Sequence, residues 1–132
     1  MSQTVLISIV DDDETMRDAL GVLMRSLGFS VQAFSSAERF LKSPHVGRTA
    51  CLIADVQMSG MTGPDLHQHL VSAGTPIPTI FITAFPEERV RERALHAGVL
   101  GYLTKPFTED ELMTCLRKGL GQLDHGRRSG GA

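Results

Sequence analysis

Cysteine is scarce in this 132-residue sequence, which contains only Cys51 and Cys115. Two cysteines so far apart do not suggest the disulfide framework that holds many small secreted domains together, and their apolar surroundings indicate buried thiols. Long hydrophobic runs are missing as well, since none approaches the about 20 residues of a membrane-spanning helix. The start of the sequence does not show the charged and then apolar segments of a leader peptide. We therefore expect a cytoplasmic protein without a membrane anchor.

An excess of charge of one sign is also missing. The chain has 13 Lys and Arg against 15 Asp and Glu, and its formal net charge is −2. Because binding to nucleic acid by bulk charge needs a basic surface, we expect no direct nucleic-acid binding. Hydrophobic residues make up 42 % of the sequence, which is enough for the core of one domain. The glycine-rich, basic end, "GQLDHGRRSGGA", favours a domain over residues 1–123 and a flexible tail or linker over residues 124–132.

Short apolar and β-branched runs alternate with segments of helical periodicity. The runs have the length and composition of strands, most of them buried on both faces. They cover residues 4–10, 30–34, 50–55, 79–83 and 101–105. A helical segment follows each of them, so that five strands alternate with five helices. This order predicts an α/β doubly wound fold, in which helices cover both faces of a parallel sheet.

Local signals mark several ends of these helices. Gly28 is expected to end the first helix. Two pairs have the spacing of a capping box, in which a hydroxyl and a carboxylate bind each other's backbone N–H groups: Ser35 with Glu38, and Thr108 with Glu111. We expect these pairs to begin the second and fifth helices.

Polar side chains stand at the carboxyl ends of four predicted strands. The first strand is followed by Asp11 and Asp12, whereas the third, fourth and fifth end at Asp55, Thr83 and Lys105. In an open parallel sheet these ends lie along one edge, where ligands bind. Carboxylates without a neighbouring histidine or cysteine suit a hard cation such as Mg²⁺, while an ammonium and a hydroxyl suit a phosphate. A carboxylate can also act as the nucleophile in phosphoryl transfer and form an aspartyl phosphate.

Four segments in this order, "IVDDDETMR", "LIADVQMSGMTG", "FITA" and "YLTKPF", resemble the receiver domain of two-component response regulators, the CheY-like superfamily. The resemblance covers residues 3–123 and is strongest to receivers of FixJ/NarL-type transcription regulators. It implies the flavodoxin-like strand order 2-1-3-4-5. It also implies a phosphorylation-controlled binding module that receives its phosphoryl group from a sensor histidine kinase. A DNA-binding output domain would lie outside this chain, which has no room for one.

The resemblance implies a role in phosphorylation for each matching residue. Asp55 would be the phosphoacceptor, Thr83 would bond to the phosphoryl group, and Lys105 would pair with it. Tyr102 would be the aromatic switch residue, whose rotamer changes together with that of Thr83. The peptide bond between Lys105 and Pro106 would be cis. The fourth helix and fifth strand would form the signalling surface, where a phosphorylation-dependent homodimer or an output domain would bind.

The resemblance also implies the ligands of a Mg²⁺ ion, for which Mn²⁺ can substitute. Asp12, Asp55 and the backbone carbonyl of Gln57 would bind the metal directly, and Asp11 would hold a metal-bound water. Gln57 and Phe85 occupy the two variable positions that tune loss of the phosphoryl group to water. Because Phe85 is large, we expect slow self-dephosphorylation.

Two features of the sequence are not explained by the roles given above. Asp13 and Glu14 complete the run of four acids, and we assign them to the first turn of a helix, where the macrodipole favours negative charge. Ser59 stands where receivers often have proline, so we expect a more flexible loop after Asp55.

Two alternatives stay open. One is a Mg²⁺-dependent phosphatase with an aspartyl-phosphate intermediate, although such enzymes usually carry a second acid close after the nucleophile, where this sequence has Val56 and Gln57. The other is a receiver-like scaffold that is never phosphorylated, although the set of acids, threonine and lysine is complete.

Overall fold

Five parallel strands form one sheet in the computed structural model, which describes the backbone of residues 5–131 and the side chains of residues 5–121. The strands are β1 (Leu6–Val10), β2 (Ser30–Phe34), β3 (Cys51–Asp55), β4 (Thr79–Thr83) and β5 (Gly101–Thr104). The helices are α1 (Glu14–Ser26), α2 (Ala37–Lys42), α3 (Gly63–Ser72), α4 (Glu88–His96) and α5 (Glu109–Gly131), with a short 3₁₀ helix at Val46–Arg48. The order in the sheet is β2-β1-β3-β4-β5, and all neighbours are parallel. The predicted doubly wound fold and its strand order are confirmed.

The ends of the elements differ little from the predicted ones. β2 and β4 match residue for residue, whereas β3 begins at Cys51 rather than Ala50 and β5 ends at Thr104 rather than Lys105. α5 continues to Gly131, so its backbone is helical over residues for which the composition predicted a flexible tail. The division of the chain at residue 123 stays a prediction.

Side chains on the two faces of the sheet form two apolar clusters. All residues of β1, β3 and β4 are buried, as their continuous apolar composition predicts for strands covered on both sides. One cluster joins the sheet to α2, α3 and α4 through residues such as Val10, Phe40, Ala54, Leu66, Phe81 and Ala94. The other joins it to α1 and α5 through residues such as Ile9, Leu20, Met24, Ile53, Ile82 and Leu112. The two layers of helices therefore fix the sheet from both sides and leave its carboxyl edge open.

Three helix ends agree with the local signals. The Asp13 side chain caps α1 by accepting the Thr15 N–H, so that the third acid of the run belongs to the helix as expected. Gly28 follows α1 with φ +93°, a conformation that costs glycine little. Thr108 and Glu111 form the predicted reciprocal bonds at the start of α5.

The capping box predicted at Ser35 and Glu38 is wrong. α2 is capped one residue later by Ser36, whose hydroxyl accepts the Arg39 N–H at 3.1 Å. The third helical position is consequently occupied by Arg39, and the Glu38 carboxylate is free to reach another segment. It accepts the Met61 N–H at 2.9 Å, in the loop that follows β3.

The scarce residue types behave as the sequence indicated. Cys51 and Cys115 are free, buried thiols in the same apolar cluster, and burial raises the pKa of Cys51 to about 12. Among the described helices, none combines the length and the apolar composition needed to cross a bilayer.

The point where strand order reverses lies between β1 and β3. β1 pairs with β2 on one side and with β3 on the other. After β1 the chain forms β2 on one side of it and then crosses to form β3 on the other side. This reversal opens a crevice at the carboxyl ends of β1 and β3. Asp11 and Asp55 stand at this crevice because each is attached to one of them.

Gly63 packs directly against the end of β3, which makes it a test of this arrangement. Its N–H donates to the Val56 carbonyl at 3.1 Å, and a Cβ atom there would lie 2.5 Å from the Asp55 carbonyl oxygen. Gly63→Ala should therefore displace α3 or β3 and lower the free energy of unfolding by about 1–3 kcal/mol, as measured by urea denaturation. Gly47→Ala is the control, since a Cβ at Gly47 meets nothing within 4 Å. Equal midpoints for both variants would contradict this packing.

Candidate functional site

Three carboxylates converge at the crevice between β1 and β3. Asp11, Asp12 and Asp55 each offer an oxygen, and these oxygens lie within 4.8 Å of one another. Asp11 is fully buried and Asp55 is 6 % exposed, whereas Asp12 is exposed to solvent. The sequence-predicted acids are therefore brought together, with the open side of the cluster at Asp12.

Lys105 completes the cluster from β5. Its Nζ atom lies 3.1 Å from Asp11 Oδ2 and 3.4 Å from Asp55 Oδ2. Its backbone N–H donates to the Thr83 carbonyl at 2.7 Å, which places the residue just past the strand, and the bond to Pro106 is cis. Burial opposes the ammonium charge, but the bond and charge of Asp11 and those of Asp55 outweigh it and raise the pKa of Lys105.

The Lys105 ammonium does not fully offset the cost of ionising the buried acids. Burial raises the pKa of Asp55 from its ordinary 3.8 to about 6, and the neighbouring Asp11 charge adds to this shift, while Lys105 opposes it. Among the side chains that the structure describes, only Lys105 forms an ion pair with any of these three carboxylates. Oxygen donors without histidine or cysteine are the set that suits Mg²⁺, and a divalent cation would offset the remaining negative charge. The acidic cluster could thus hold such a metal.

Hydrogen bonds hold the loop after β3 over this cluster. The Gln57 N–H donates to Asp55 Oδ1 at 3.3 Å, and the Ser59 N–H donates to Asp12 Oδ2 at 3.4 Å. The Met61 N–H donates to Glu38 at 2.9 Å, and this bond lowers the pKa of that carboxyl. The loop, which was expected to be more flexible without proline at Ser59, has an attachment at each of these places.

Thr83 and Gln57 form a second group beside the acids. The buried Thr83 hydroxyl donates to Gln57 Oε1 at 2.9 Å and accepts the Phe85 N–H at 3.0 Å. Gln57 Nε2 donates to the Phe85 carbonyl at 3.1 Å. The Phe85 side chain itself is 71 % exposed. The two predicted tuning residues are thus linked to Thr83 through a glutamine side chain and a backbone, while the aromatic ring faces solvent.

Tyr102 lies in β5, and its hydroxyl reaches the start of α4. Its hydroxyl accepts the Glu87 N–H at 3.2 Å, and Glu87 is the residue that precedes the helix without a side-chain cap of its own. Tyr102 is half-buried against the cluster that contains Phe81. It therefore connects β5, where it is placed, with the backbone of α4.

Three contributions to the site were missed in the sequence. The Glu38 bond to the loop was hidden because its spacing from Ser35 matched a capping box. Arg17 donates from Nη1 to the Asp11 carbonyl at 2.8 Å, and an arginine in the first turns of a helix gives no signal of such a contact. The Gln57 side chain bridges two strand ends, which only the folded arrangement of both loops brings together.

Replacement of Asp55 by asparagine should stabilise the protein without divalent cations. The carboxyl ionises near its ordinary pKa of 3.8 when unfolded and near 6 when folded, so its ionisation opposes folding above that pH. Asp55→Asn should raise the free energy of unfolding by about 1 kcal/mol at pH 7.5, after allowance for solvent screening. The gain should vanish as the pH falls through 6 to 4, where wild-type Asp55 is protonated.

Urea denaturation in EDTA at both pH values measures this effect. Asp18→Asn is the control, because Asp18 is exposed on α1, and it should change stability little at either pH. A loss of stability in Asp55→Asn at pH 7.5 would contradict the assigned direction of the pKa shift.

Comparison with known proteins agrees with this geometry. The model of the response regulator receiver domain family matches residues 7–117. The response regulator protein TodT of Pseudomonas putida is 41 % identical over 115 residues, 87 % of this chain and 51 % of TodT. The transcriptional regulatory protein FixJ of Bradyrhizobium diazoefficiens is 30 % identical over 123 residues, 93 % of this chain and 60 % of FixJ.

A solved structure gives the same result. That of the response regulator StyR is 37 % identical, with a TM-score of 0.84 over 97 % of this chain and 64 % of that chain. This chain spans about half the length of TodT. The family predicted from the four sequence segments is confirmed, and the chain belongs to the response regulator receiver domain family.

Proposed function

We propose that this receiver accepts a phosphoryl group on Asp55 from a sensor histidine kinase and changes its surface in response. The observation that carries the proposal is the position of Asp55. Its nearly buried carboxylate stands at the strand-order switch point, with Lys105 Nζ at 3.4 Å and two further acids beside it. The proposed nucleophile, Lys105 and the candidate metal ligands thus lie within one crevice, which supports the proposal.

The reaction requires an ionised Asp55 and neutralised phosphoryl oxygens. An Asp55 oxygen forms the bond to phosphorus as the bond from phosphorus to the donor's histidine nitrogen breaks. Mg²⁺, bound by Asp12, Asp55 and the Gln57 carbonyl with Asp11 on a metal-bound water, would supply positive charge to the transferred oxygens. Lys105 adds its ammonium, which already lies between Asp11 and Asp55. This chain therefore contributes mainly position and charge, which is what phosphoryl transfer chiefly needs.

The change of surface would start at Thr83. When its hydroxyl turns to a phosphoryl oxygen, the space around it changes, and Tyr102 would follow. Because the Tyr102 hydroxyl accepts the Glu87 N–H, its movement would release the start of α4. The surface formed by α4 and β5 would then bind a second copy of the domain or an output domain. Any contact with DNA would be made by that output domain.

We regard the domain as a phosphoacceptor that assists its own phosphorylation and dephosphorylation, and not as an enzyme that turns over a substrate. Val56 and Gln57 follow Asp55, so the position where aspartyl-phosphate phosphatases carry their general acid is not acidic. This supports a single, slowly reversed transfer.

Incubation with acetyl phosphate and Mg²⁺ tests the proposal directly. We expect intact-mass spectrometry to show one phosphoryl adduct on the wild type and none on Asp55→Asn. Excess EDTA should abolish the adduct, because neutralisation of the phosphoryl charge depends on the divalent cation. Asp18→Asn, on the exposed side of α1, should react like the wild type.

If the wild type is folded and still forms no adduct with several small phosphoryl donors, the proposal is overturned in favour of a scaffold that is never phosphorylated. Continuous release of phosphate from phosphomonoesters, lost in Asp55→Asn, would instead indicate a phosphatase.

The size of Phe85 leads to a prediction about the lifetime of the phosphorylated form. We expect slow self-dephosphorylation in the wild type and a faster rate, by about threefold to tenfold, in Phe85→Ala, where water approaches more easily. The rate is measured from the decay of the adduct after removal of the donor. Stability should change little, since the ring is 71 % exposed. A wild-type lifetime of only seconds, or an unchanged rate in Phe85→Ala, would contradict the role assigned to this ring.

A further inference from the structure

We propose that the Gln57 side chain is an internal competitor of the phosphoryl group for the Thr83 hydroxyl, and that it holds the unphosphorylated state. The inference rests on the proposed function, in which Thr83 bonds to a phosphoryl group on Asp55. It concerns the amide of Gln57, whereas the predicted metal ligand is the backbone carbonyl of the same residue.

Three hydrogen bonds close a ring between the ends of β3 and β4. Thr83 Oγ1 donates to Gln57 Oε1 at 2.9 Å, Gln57 Nε2 donates to the Phe85 carbonyl at 3.1 Å, and the Phe85 N–H donates to Thr83 Oγ1 at 3.0 Å. Each of the three residues both donates and accepts. We call this set of bonds the Gln57 latch.

The direction of each bond in the latch is fixed by chemistry. A flipped Gln57 amide would set its oxygen against the Phe85 carbonyl oxygen, and two acceptors repel, so Nε2 must face Phe85. Oε1 then faces Thr83 and can only accept. Because the Thr83 oxygen already accepts the Phe85 N–H, its single proton is the one that goes to Gln57.

A phosphoryl oxygen is also only an acceptor, so it needs the same proton. Thr83 is fully buried, and solvent therefore does not supply a second donor at that position. Binding of the phosphoryl group by Thr83 requires the Thr83–Gln57 bond to break. Gln57 Oε1 must then find another partner, and the net value of such a bond opposes activation by about threefold to tenfold in equilibrium constant.

Gln57→Met removes the latch with little change of length, because methionine fills similar space and offers neither a strong acceptor nor a donor. The matched control is Gln68→Met, since Gln68 is exposed on α3. The readout is tyrosine fluorescence, because Tyr102 is the only tyrosine and the chain has no tryptophan. The signal thus comes from the residue expected to follow Thr83.

The first measurement is made on the unphosphorylated protein. In NMR spectra, the Gln57 Nε2 protons should exchange with solvent at least about tenfold more slowly than those of Gln68, because they bind the Phe85 carbonyl. Equal exchange rates would overturn the latch without reference to phosphorylation.

The second measurement is a titration with beryllium trifluoride and Mg²⁺, a phosphoryl analogue that cannot be hydrolysed. Half-saturation should occur at about threefold to tenfold lower concentration in Gln57→Met than in the wild type, while Gln68→Met matches the wild type. An equal or higher concentration in Gln57→Met would overturn the proposal. If no protein responds, the proposed function fails, and the exchange rates still decide whether the latch exists.

Discussion

The site depends on the Lys105 ammonium, which two buried carboxylates share. Lys105 lies 3.1 Å from Asp11 and 3.4 Å from Asp55, and it offsets only part of the charge that burial makes costly. Burial, and after it the neighbouring Asp11 charge, raise the pKa of Asp55 to about 6 in spite of Lys105. The folded protein therefore holds negative charge at a cost to its own stability, and the same charge could hold a metal ion next to Asp55.

The parallel sheet makes this concentration of charge possible. Parallel strands place all their carboxyl ends on one edge, and the reversal of strand order between β1 and β3 leaves a gap in the helical cover at that edge. Apolar clusters on both faces hold the strands in place. Close packing continues up to the site itself, where Gly63 lies so near the Asp55 backbone that a Cβ atom would be 2.5 Å from the Asp55 carbonyl oxygen. The position of Asp55, the last residue of the buried strand β3, is thus set by core packing.

The same logic explains which features the sequence could predict. Apolar runs predict all five strands, and the rule for strand ends places Asp11, Asp55 and Lys105 at one edge of the sheet. The bonds made by Glu38 and Gln57 could not be predicted, because each joins segments that are distant in the chain and whose relative position depends on the whole fold. Glu38 was even misassigned, since a spacing of three residues from Ser35 fits a capping box whether or not the helix begins there.

Thr83 has one part that is free to move within a rigid site. Its backbone is fixed by β4 and by the Lys105 N–H, which donates to its carbonyl at 2.7 Å. Its oxygen accepts the Phe85 N–H, so the hydroxyl proton is the part that can change partner by a small rotation. A change of one hydrogen bond involves a small free energy, comparable with that separating two conformations in equilibrium. Under the proposed function, the Gln57 side chain bonded to Thr83 would set the resting balance of the domain while the acidic cluster stays unchanged.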